Sequence, residues 1–301
     1  MAWQLTDSLD AFLTAAGDHL RSDPVRHTVP LTVLETLRQR GPLAFGDSPP
    51  IFGWHRSAAG ATDGAFFQTP PFPLLLASLP AESATSLLNA LTADGNSPAA
   101  VNLGAEHAAD FLAAWARATS GSGSARMRMR LYRLGVLRPP DPAPPGVARM
   151  AGLGDRDLLV NWHVAFGRES SGAAPEEAVR LVDDRLSHDG LMLWEVDGEP
   201  IAMAGLTRQV AGVARVGEVY TPPAHRRRGY GGAITTAVSQ AALDAGAAEV
   251  VLYTDLANAT SNALYQQLGY LPVGDRVVLD LSARDGGSGV TGGTRHSSER
   301  S

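Results

Sequence analysis

A proline-rich segment near the middle of the chain constrains the fold more than any other feature. Residues 138–146 read Arg-Pro-Pro-Asp-Pro-Ala-Pro-Pro-Gly, with five prolines in nine positions. Proline lacks the backbone N–H that helices and central strands use, and it disfavours helical geometry in the residue before it. The segment therefore predicts a linker between residues 1–137 and a second part that begins at 147. Because a single core rarely grows beyond about 250 to 300 residues, we expect two domains.

The part after the linker alternates between helical and extended patterns. Apolar residues at helical spacing predict two helices first, and the dipeptide Asp197-Gly198, which suits a tight hairpin, then joins two strands. The following patterns predict a strand, a long helix of small residues, a strand, a short helix and a last strand. The predicted elements are 155–166, 175–186, 191–196, 200–206, 213–221, 229–245, 250–254, 260–268 and 276–281. This order predicts a mixed α/β domain over residues 147–282.

The first part of the chain repeats this order faintly. We predict three strands, a helix, a strand, a helix and a strand, at 51–55, 65–68, 73–78, 81–93, 99–103, 106–118 and 127–134. The turn after Ser78 reads Leu-Pro-Ala-Glu and contains neither glycine nor arginine. We therefore expect a repeated scaffold whose N-terminal copy has no site; an unrelated α/β domain is the alternative.

The segment that carries chemistry is 219–233, where a predicted strand turns through glycines straight into a helix. Such a turn directs unpaired N–H groups to one point, and the helix dipole adds partial positive charge there. Gly229, Gly231 and Gly232 allow close approach of a ligand to the backbone, and Arg226, Arg227 and Arg228 supply charge. This pattern predicts an anion site suited to a pyrophosphate.

Two other phosphate-binding motifs do not fit this segment. A P-loop requires a lysine, and the chain has none. A dinucleotide-binding fingerprint requires a third glycine, but Ile234 occupies that position.

Two separated motifs resemble those of the GNAT superfamily of N-acyltransferases. The sequence Arg226-Arg-Arg-Gly-Tyr-Gly231 resembles its Arg/Gln-x-x-Gly-x-Gly/Ala signature, and the stretch 258–270 resembles its asparagine, tyrosine and glycine-aromatic pattern. The resemblance covers residues 147–281. It implies a mixed, mostly antiparallel sheet flanked by helices, and the faint repeat implies a tandem arrangement of two GNAT-like domains, the N-terminal one degenerate.

The resemblance also implies a site. Acetyl-CoA would be the donor, with its pantetheine arm along the backbone of Val219, Tyr220 and Thr221 and its pyrophosphate on the N–H groups from Arg227 through Tyr230 to Gly232. Asn258 resembles the family's asparagine at the CoA site. Tyr265 resembles the tyrosine that protonates the departing thiolate.

The sequence gives the least information about which residue acts as the general base of this site. Glu218 is the nearest acidic residue on the predicted strand, and it is the candidate that removes a proton from the attacking amine. An acid at this position can equally face solvent or pair with an arginine. Tyr265 likewise has an alternative role as a packing residue at helical spacing from Leu268.

Composition narrows the remaining functions. A net charge of -6 and the absence of cysteine argue against a nucleic-acid partner, disulfides and thiolate metal sites. His163, His188 and His225 are too dispersed to predict a metal site. We expect a soluble, cytoplasmic protein without a membrane partner, because no signal sequence or membrane-length apolar run is evident. The absence of lysine beside abundant alanine, glycine and proline is typical of a GC-rich bacterial genome. The tail 283–301 has almost no apolar residues, and we expect it to be disordered.

These observations favour an N-acetyltransferase that acts on a small-molecule or peptide amine by direct attack in a ternary complex. An acyl-CoA-binding sensor or regulator without turnover is the alternative, and a purely structural domain is a third. The acceptor, the acyl chain length and the role of the N-terminal half are not predicted. A homodimer is compatible with the sequence.

Overall fold

The computed structural model describes residues 2–170 and 175–283. In the N-terminal half the elements are β1 (Trp3–Thr6), α1 (Leu9–Ser22), α2 (Thr28–Arg40), β2 (Ile51–Arg56), β3 (Thr62–Gln68), β4 (Leu74–Ser78), α3 (Ala84–Ala93), β5 (Ala100–Gly104), α4 (Ala108–Thr119) and β6 (Ser122–Leu134). In the C-terminal half they are β7 (Val147–Met150), α5 (Arg156–Ser170), α6 (Pro175–Leu186), β8 (Leu191–Val196), β9 (Glu199–Leu206), β10 (Val213–Tyr220), α7 (Tyr230–Asp244), β11 (Glu249–Asp255), α8 (Ala259–Gln267) and β12 (Tyr270–Ser282).

The two halves have the same order of elements. Each begins with a short strand and two helices, continues with three strands, and ends with helix, strand, helix and strand. The predicted mixed α/β class with tandem repeats is therefore confirmed. The boundaries 1–137, 138–146 and 147–282 remain a proposal, and the predicted tail from 284 onward lies outside the described residues.

A single sheet of twelve strands joins the halves. Its order is β1-β2-β3-β4-β5-β12-β6-β11-β10-β9-β8-β7, so the last strand of each half lies beside the other half. Strand β12 pairs with β5, β6 pairs with β11, and the two long strands pair with each other from Tyr270↔Leu134 to Ser282↔Ser122. This exchange makes the sheet continuous across the two halves, because neither half completes its sheet with its own final strand.

Most predicted elements lie within a few residues of those in the structure. The turn at Asp197-Gly198 has positive φ at both residues, 53° and 84°, as a tight hairpin requires. Strands β6 and β12 are longer than predicted, because each continues along the other beyond the apolar stretch that indicated it.

Four elements have no counterpart among those predicted from the sequence: β1, α1 and α2 of the N-terminal half and β7 of the C-terminal half. Strands β1 and β7 have only four residues each, too few for a periodic pattern. Helix α1 does carry a helical signal, since Phe12, Ala16 and Leu20 are all buried and lie at intervals of four residues.

The sheet of the C-terminal half is covered on both faces. Helix α7 packs on one face against a cluster that includes Ala214, Val216 and Tyr265. Helices α5 and α6 cover the other face, where Leu159 and Val182 pack with Tyr220. Within the described residues, no helix combines the length and apolar character needed to cross a membrane.

Candidate functional site

Strand β10 is distorted where it approaches α7. Its register with β9 shifts between Gly217 and Tyr220, so Glu218 and Val219 together lie opposite one residue of β9. Glu218 has a φ of 49°, a left-handed conformation that is strained for a residue with a side chain. This is a β-bulge, which bends a strand and redirects its side chains.

The same strand separates from its other neighbour. β10 and β11 are parallel and paired from Val213↔Glu249 to Val216↔Leu252, and the pairing ends there. The backbone of β10 from Gly217 onward therefore has no strand partner on the β11 side. The resemblance predicts such a slot for the pantetheine arm at Val219, Tyr220 and Thr221, and the structure places these three residues along it.

The turn after β10 presents a row of free backbone N–H groups. No N–H from Arg227 to Gly232 donates a hydrogen bond to a described residue. The first internal bond of the fifteen-residue helix α7 runs from the N–H of Ala233 to the carbonyl of Gly229. These groups and the helix dipole form a positively polarised anion site.

Two glycines of the turn have different structural roles. Gly229 precedes α7 with a φ of 84°, a left-handed conformation that glycine adopts without strain. A Cβ at Gly231 would meet only ordinary contacts at 3.8 Å, with Leu264 of α8 and the hydroxyl of Thr221. Position 231 therefore has room for a side chain, and a substitution there tests the ligand rather than the fold.

The linker packs against this turn. A Cβ added at Gly229 would lie 3.5 Å from Pro144, and one at Gly232 would lie 3.2 Å from both Pro140 and Leu264. Gly232 is buried, so its small size serves packing between α7, α8 and the linker, while its N–H remains free. Residues 138–146 thus form one side of the anion site.

The three arginines of the motif do not behave alike. Arg226 donates two hydrogen bonds to the carboxylate of Glu169, at 2.8 and 2.7 Å, and one to the carbonyl of Thr221 at 2.8 Å. Arg227 and Arg228 are exposed beside the turn. Arg226 therefore ties α5 to the turn, and the other two remain available to a phosphate. The side chain of Tyr230 lies in the core, which leaves only its N–H for a ligand.

Tyr265 lies on α8, which packs beside the start of α7 through its neighbour Leu264. Its side chain is only 8% exposed, and its ring packs edge-on against that of Tyr270 at 6.0 Å. Burial raises the pKa of Tyr265 to about 12. The hydroxyl of Tyr270 is bound to Ser239 at 2.7 Å, whereas that of Tyr265 has no hydrogen-bond partner among the described residues. Of the two tyrosines, only Tyr265 has a hydroxyl free for a ligand.

Two polar residues hold α8 in place. Asn258 caps the helix, because its side-chain oxygen accepts the N–H of Ser261 at 3.0 Å. Tyr132, from strand β6 of the N-terminal half, donates its hydroxyl to Asn262 and accepts from Gln266, both at 3.0 Å. Sequence reasoning missed Tyr132, because only the strand exchange brings it to this helix.

Glu218 lies on the face of the sheet opposite α7. Its carboxylate faces the guanidinium of Arg185 at 3.4 Å, with the two side chains 16% and 9% exposed. The carboxylate also packs against Gly205 of β9, where a Cβ would collide with it. Burial by itself would raise the pKa of Glu218, but nearby cationic groups, chiefly Arg185, outweigh burial and lower it. Glu218 is therefore ionised at neutral pH.

His163 adjoins this pair, although the sequence gave no reason to include it. It is 4% exposed, its Nδ1–H donates to the carbonyl of Leu159 at 2.8 Å, and its Nε2 has no partner among the described residues. Burial lowers the pKa of His163, while the charge of Glu218 opposes this change. A neutral imidazole thus lies next to the only carboxylate of the bulge.

Comparisons with known proteins place this geometry in a family. The model described as the acetyltransferase (GNAT) family matches residues 157–270. The mycothiol acetyltransferase of Beutenbergia cavernae is 27% identical over 140 residues, which cover 43% of this chain and 47% of that protein. The match thus spans about half the length of this relative.

Two solved structures show the fold beyond the matched region. An acetyltransferase from the GNAT family of Colwellia psychrerythraea has a TM-score of 0.60 at 12% identity, covering 93% of this chain and 99% of that one. A GCN5-related N-acetyltransferase from Sphaerobacter thermophilus has a TM-score of 0.62 at 17% identity, covering 93% and 95%. Both similarities extend across the two halves. The family model thus identifies a GNAT acetyltransferase domain within the C-terminal half, and the two solved structures show that the fold of such proteins extends across both halves.

Proposed function

We propose that the C-terminal half transfers an acetyl group from acetyl-CoA to a primary amine. The free N–H groups from Arg227 to Gly232 carry this proposal, since a row of six such donors at a helix start suits a pyrophosphate. Arg227 and Arg228 add positive charge at the same place. The name of the relative from Beutenbergia supports an acetyl donor; because the match covers 47% of that protein, its acceptor is not carried over.

The slot between β10 and β11 fits the rest of the donor. Backbone groups of Val219, Tyr220 and Thr221 would pair with the amides of the pantetheine arm, as an added strand pairs with a sheet edge. This arrangement directs the thioester toward the bulge. There the N–H of Val219 would donate to the oxyanion that forms when the amine adds to the carbonyl.

Tyr265 is proposed as the acid that protonates the departing sulfur. Its raised pKa, about 12, keeps the hydroxyl protonated at any pH where the protein would operate. The departing thiolate is the group that needs a proton, and a phenol positioned beside it can transfer its proton as the carbon–sulfur bond breaks. Asn258 and Tyr132 support this role by fixing the position of α8.

Glu218 is proposed as the group that receives the proton of the amine. It lies on the bulge, within one residue of the proposed oxyanion donor Val219, and its low pKa keeps it ionised. Arg185 also makes Glu218 a weak base, and a carboxylate stabilises a nearby ammonium, so its main contribution would be to bind and orient the amine before it accepts the proton.

A sensor that binds acetyl-CoA without turnover is the second candidate. It would need the anion site but no acid. The unpaired hydroxyl of Tyr265 in an otherwise apolar surrounding favours the enzyme, because a packing tyrosine usually finds a partner, as Tyr270 does with Ser239.

The test is titration of the protein with acetyl-CoA by calorimetry, beside the variant Gly231→Glu. The new carboxylate would occupy the anion site without strain in the backbone, so we expect binding to weaken by about 100-fold or more, because like charges repel strongly at such short distance. The matched control is Ala81→Glu, an exposed position in the corresponding turn of the N-terminal half, which should bind as the unmodified protein does.

Absence of binding by the unmodified protein would contradict the proposal for the donor. Equal binding by Gly231→Glu would show that the donor binds elsewhere. If acetyl-CoA binds but no amine in a broad screen releases free thiol, the sensor is the better description.

A further inference from the structure

A cavity lies between the two halves, on the face of the sheet opposite α7. Its volume is about 320 Å³, and it is bounded by α2 of the N-terminal half and α6 of the C-terminal half. This volume lies in the range of sites for small molecules. Phe45 and Phe72, whose rings meet edge-on at 6.3 Å, form an apolar part of its wall.

Two arginines at the sheet connect this cavity to the proposed reaction centre. Arg215 of β10 follows Ala214 and precedes Val216, both of which face α7, so alternation directs its side chain to the opposite face and into the cavity. Arg185 of α6 also lines the cavity and contacts Glu218 on the bulge at 3.4 Å. Because Arg185 borders both, one end of the cavity lies next to the ion pair of Arg185 with Glu218.

The charge at this end is not balanced. Arg185 and Arg215 face one carboxylate, that of Glu218, and Arg185 is its ion-pair partner. Arg215 donates from Nη1 to the hydroxyls of Thr28 and Thr32 of α2, each at 3.2 Å, and no carboxylate among the described residues forms an ion pair with it. Its side-chain partners are thus neutral groups in a partly buried site.

The other charged groups around the cavity do not neutralise the positive charge of Arg215. Burial and then the charge of Arg185 lower the pKa of Arg215 to about 10, so it remains a cation at neutral pH. Of the acids that line the outer part of the cavity, Asp184 pairs with Arg40 and Glu35 with Arg38, whereas Glu177 forms no ion pair among the described residues and is not among the charges that affect the pKa of Arg215. A desolvated guanidinium without an anion is costly, and an anionic ligand group would relieve that cost.

We propose that this cavity binds the acceptor and that the acceptor is an amine bearing a carboxylate, such as an amino acid or short peptide. Its carboxylate pairs with Arg215, whose planar fork can donate two parallel hydrogen bonds. Its amine lies at Glu218, and its apolar part lies toward Phe45 and Phe72. The inference rests on the proposed function for the identity of the reaction, but the carboxylate site can be tested without turnover.

The binding test compares L-amino acids with their C-terminal amides, which keep the amine and the side chain but lose the negative charge. Thermal unfolding is followed with each compound, without acetyl-CoA, in the unmodified protein and in Arg215→Gln. In the unmodified protein we expect at least one amino acid to raise the melting temperature and its amide to have little effect. In Arg215→Gln we expect the amino acid and its amide to give the same melting temperature. The control Arg117→Gln removes the same charge from an exposed position on α4 and should leave the difference intact.

The kinetic test uses thiol release with acetyl-CoA. For a preferred amino acid we expect Arg215→Gln to raise KM about 100-fold, with kcat changed less than threefold, since the arginine binds and does not react. Amides that stabilise the unmodified protein or react as well as the acids would overturn the inference. So would a preference for phosphate-bearing amines, such as O-phosphoethanolamine, over every carboxylate. If acetyl-CoA does not bind, the proposed function fails, and the thermal comparison still decides whether the carboxylate site exists.

Discussion

The two halves contain the same pair of parallel strands, and the openings beside these pairs are lined by different side chains. In the N-terminal half β4 and β5 pair at Leu74↔Val101 and Leu75↔Asn102 and then separate, as β10 and β11 do after Val216. Arg276 of the exchanged strand β12 bridges the N-terminal gap and lines a cavity of about 390 Å³ beside it. It donates to the carbonyl of Leu76 on one strand, and to the carbonyl and side-chain oxygen of Asn102 on the other, at 2.7 to 3.0 Å.

No side chain among the described residues bridges β10 and β11 in this way. The turns that follow the strands also differ. After β10, six free N–H groups and two exposed arginines favour an anion; after β4, Pro80 has no N–H and Glu82 adds a negative charge. The repeated backbone therefore supplies the gap, but individual side chains decide whether a ligand can enter it.

The largest effect is expected for Tyr265→Phe. Loss of the proposed acid should lower kcat by about 10² to 10⁴, the range typical of acid–base groups, with little change in the Kd of acetyl-CoA. The measurement is thiol release under saturating conditions, with calorimetry for the donor. Tyr270→Phe is the matched control, because it removes the neighbouring hydroxyl, which is bonded to Ser239.

An unchanged kcat for Tyr265→Phe would show that Tyr265 packs in the core and does not act as the acid. It would also weaken the distinction between the halves, since the active half would then differ from the other only in its donor site.

A smaller effect, on stability, is expected for Arg276→Met. The variant keeps an apolar side chain of similar length but removes the donors that join β4 and β5, so we expect a loss of about 2 kcal/mol in the free energy of unfolding. Urea unfolding measures this loss. Acetyl-CoA should still bind with one equivalent, because the N-terminal turn has no anion site; a second equivalent would show that Arg276 alone closes that slot.

The smallest effect is expected for Tyr132→Phe. Removing the hydroxyl breaks its bonds to Asn262 and Gln266 across the boundary between the halves, which should cost about 1 kcal/mol in unfolding free energy. Because α8 carries Tyr265, kcat should fall a few-fold while the Kd of acetyl-CoA stays constant. The measurements are urea unfolding and thiol release. An equal loss of stability with unchanged kcat would mean that the N-terminal half supports the fold but not the site.

Local sequence patterns predicted much of this protein. The hairpin at Asp197-Gly198 and the start of α7 at Gly229 each depend on residues within a few positions of one another, so a short stretch determines them. The free N–H groups of the turn follow from the same local geometry. The resemblance to the GNAT superfamily, from which the proposed donor site was inferred, rests on such short stretches as well.

Tertiary structure alone decided how the halves share their parts. The exchange of β6 and β12 could not be predicted, because the two repeats offer similar strand edges and nothing local distinguishes one partner from the other. That exchange brings Tyr132 to α8 and Arg276 to the N-terminal gap. The pairing of Glu218 with Arg185 and the exposure of Arg215 to a cavity between the halves likewise depend on residues far apart in sequence. Local patterns thus determined which elements form and where an anion can bind, while long-range packing determined which charges are left for an acceptor.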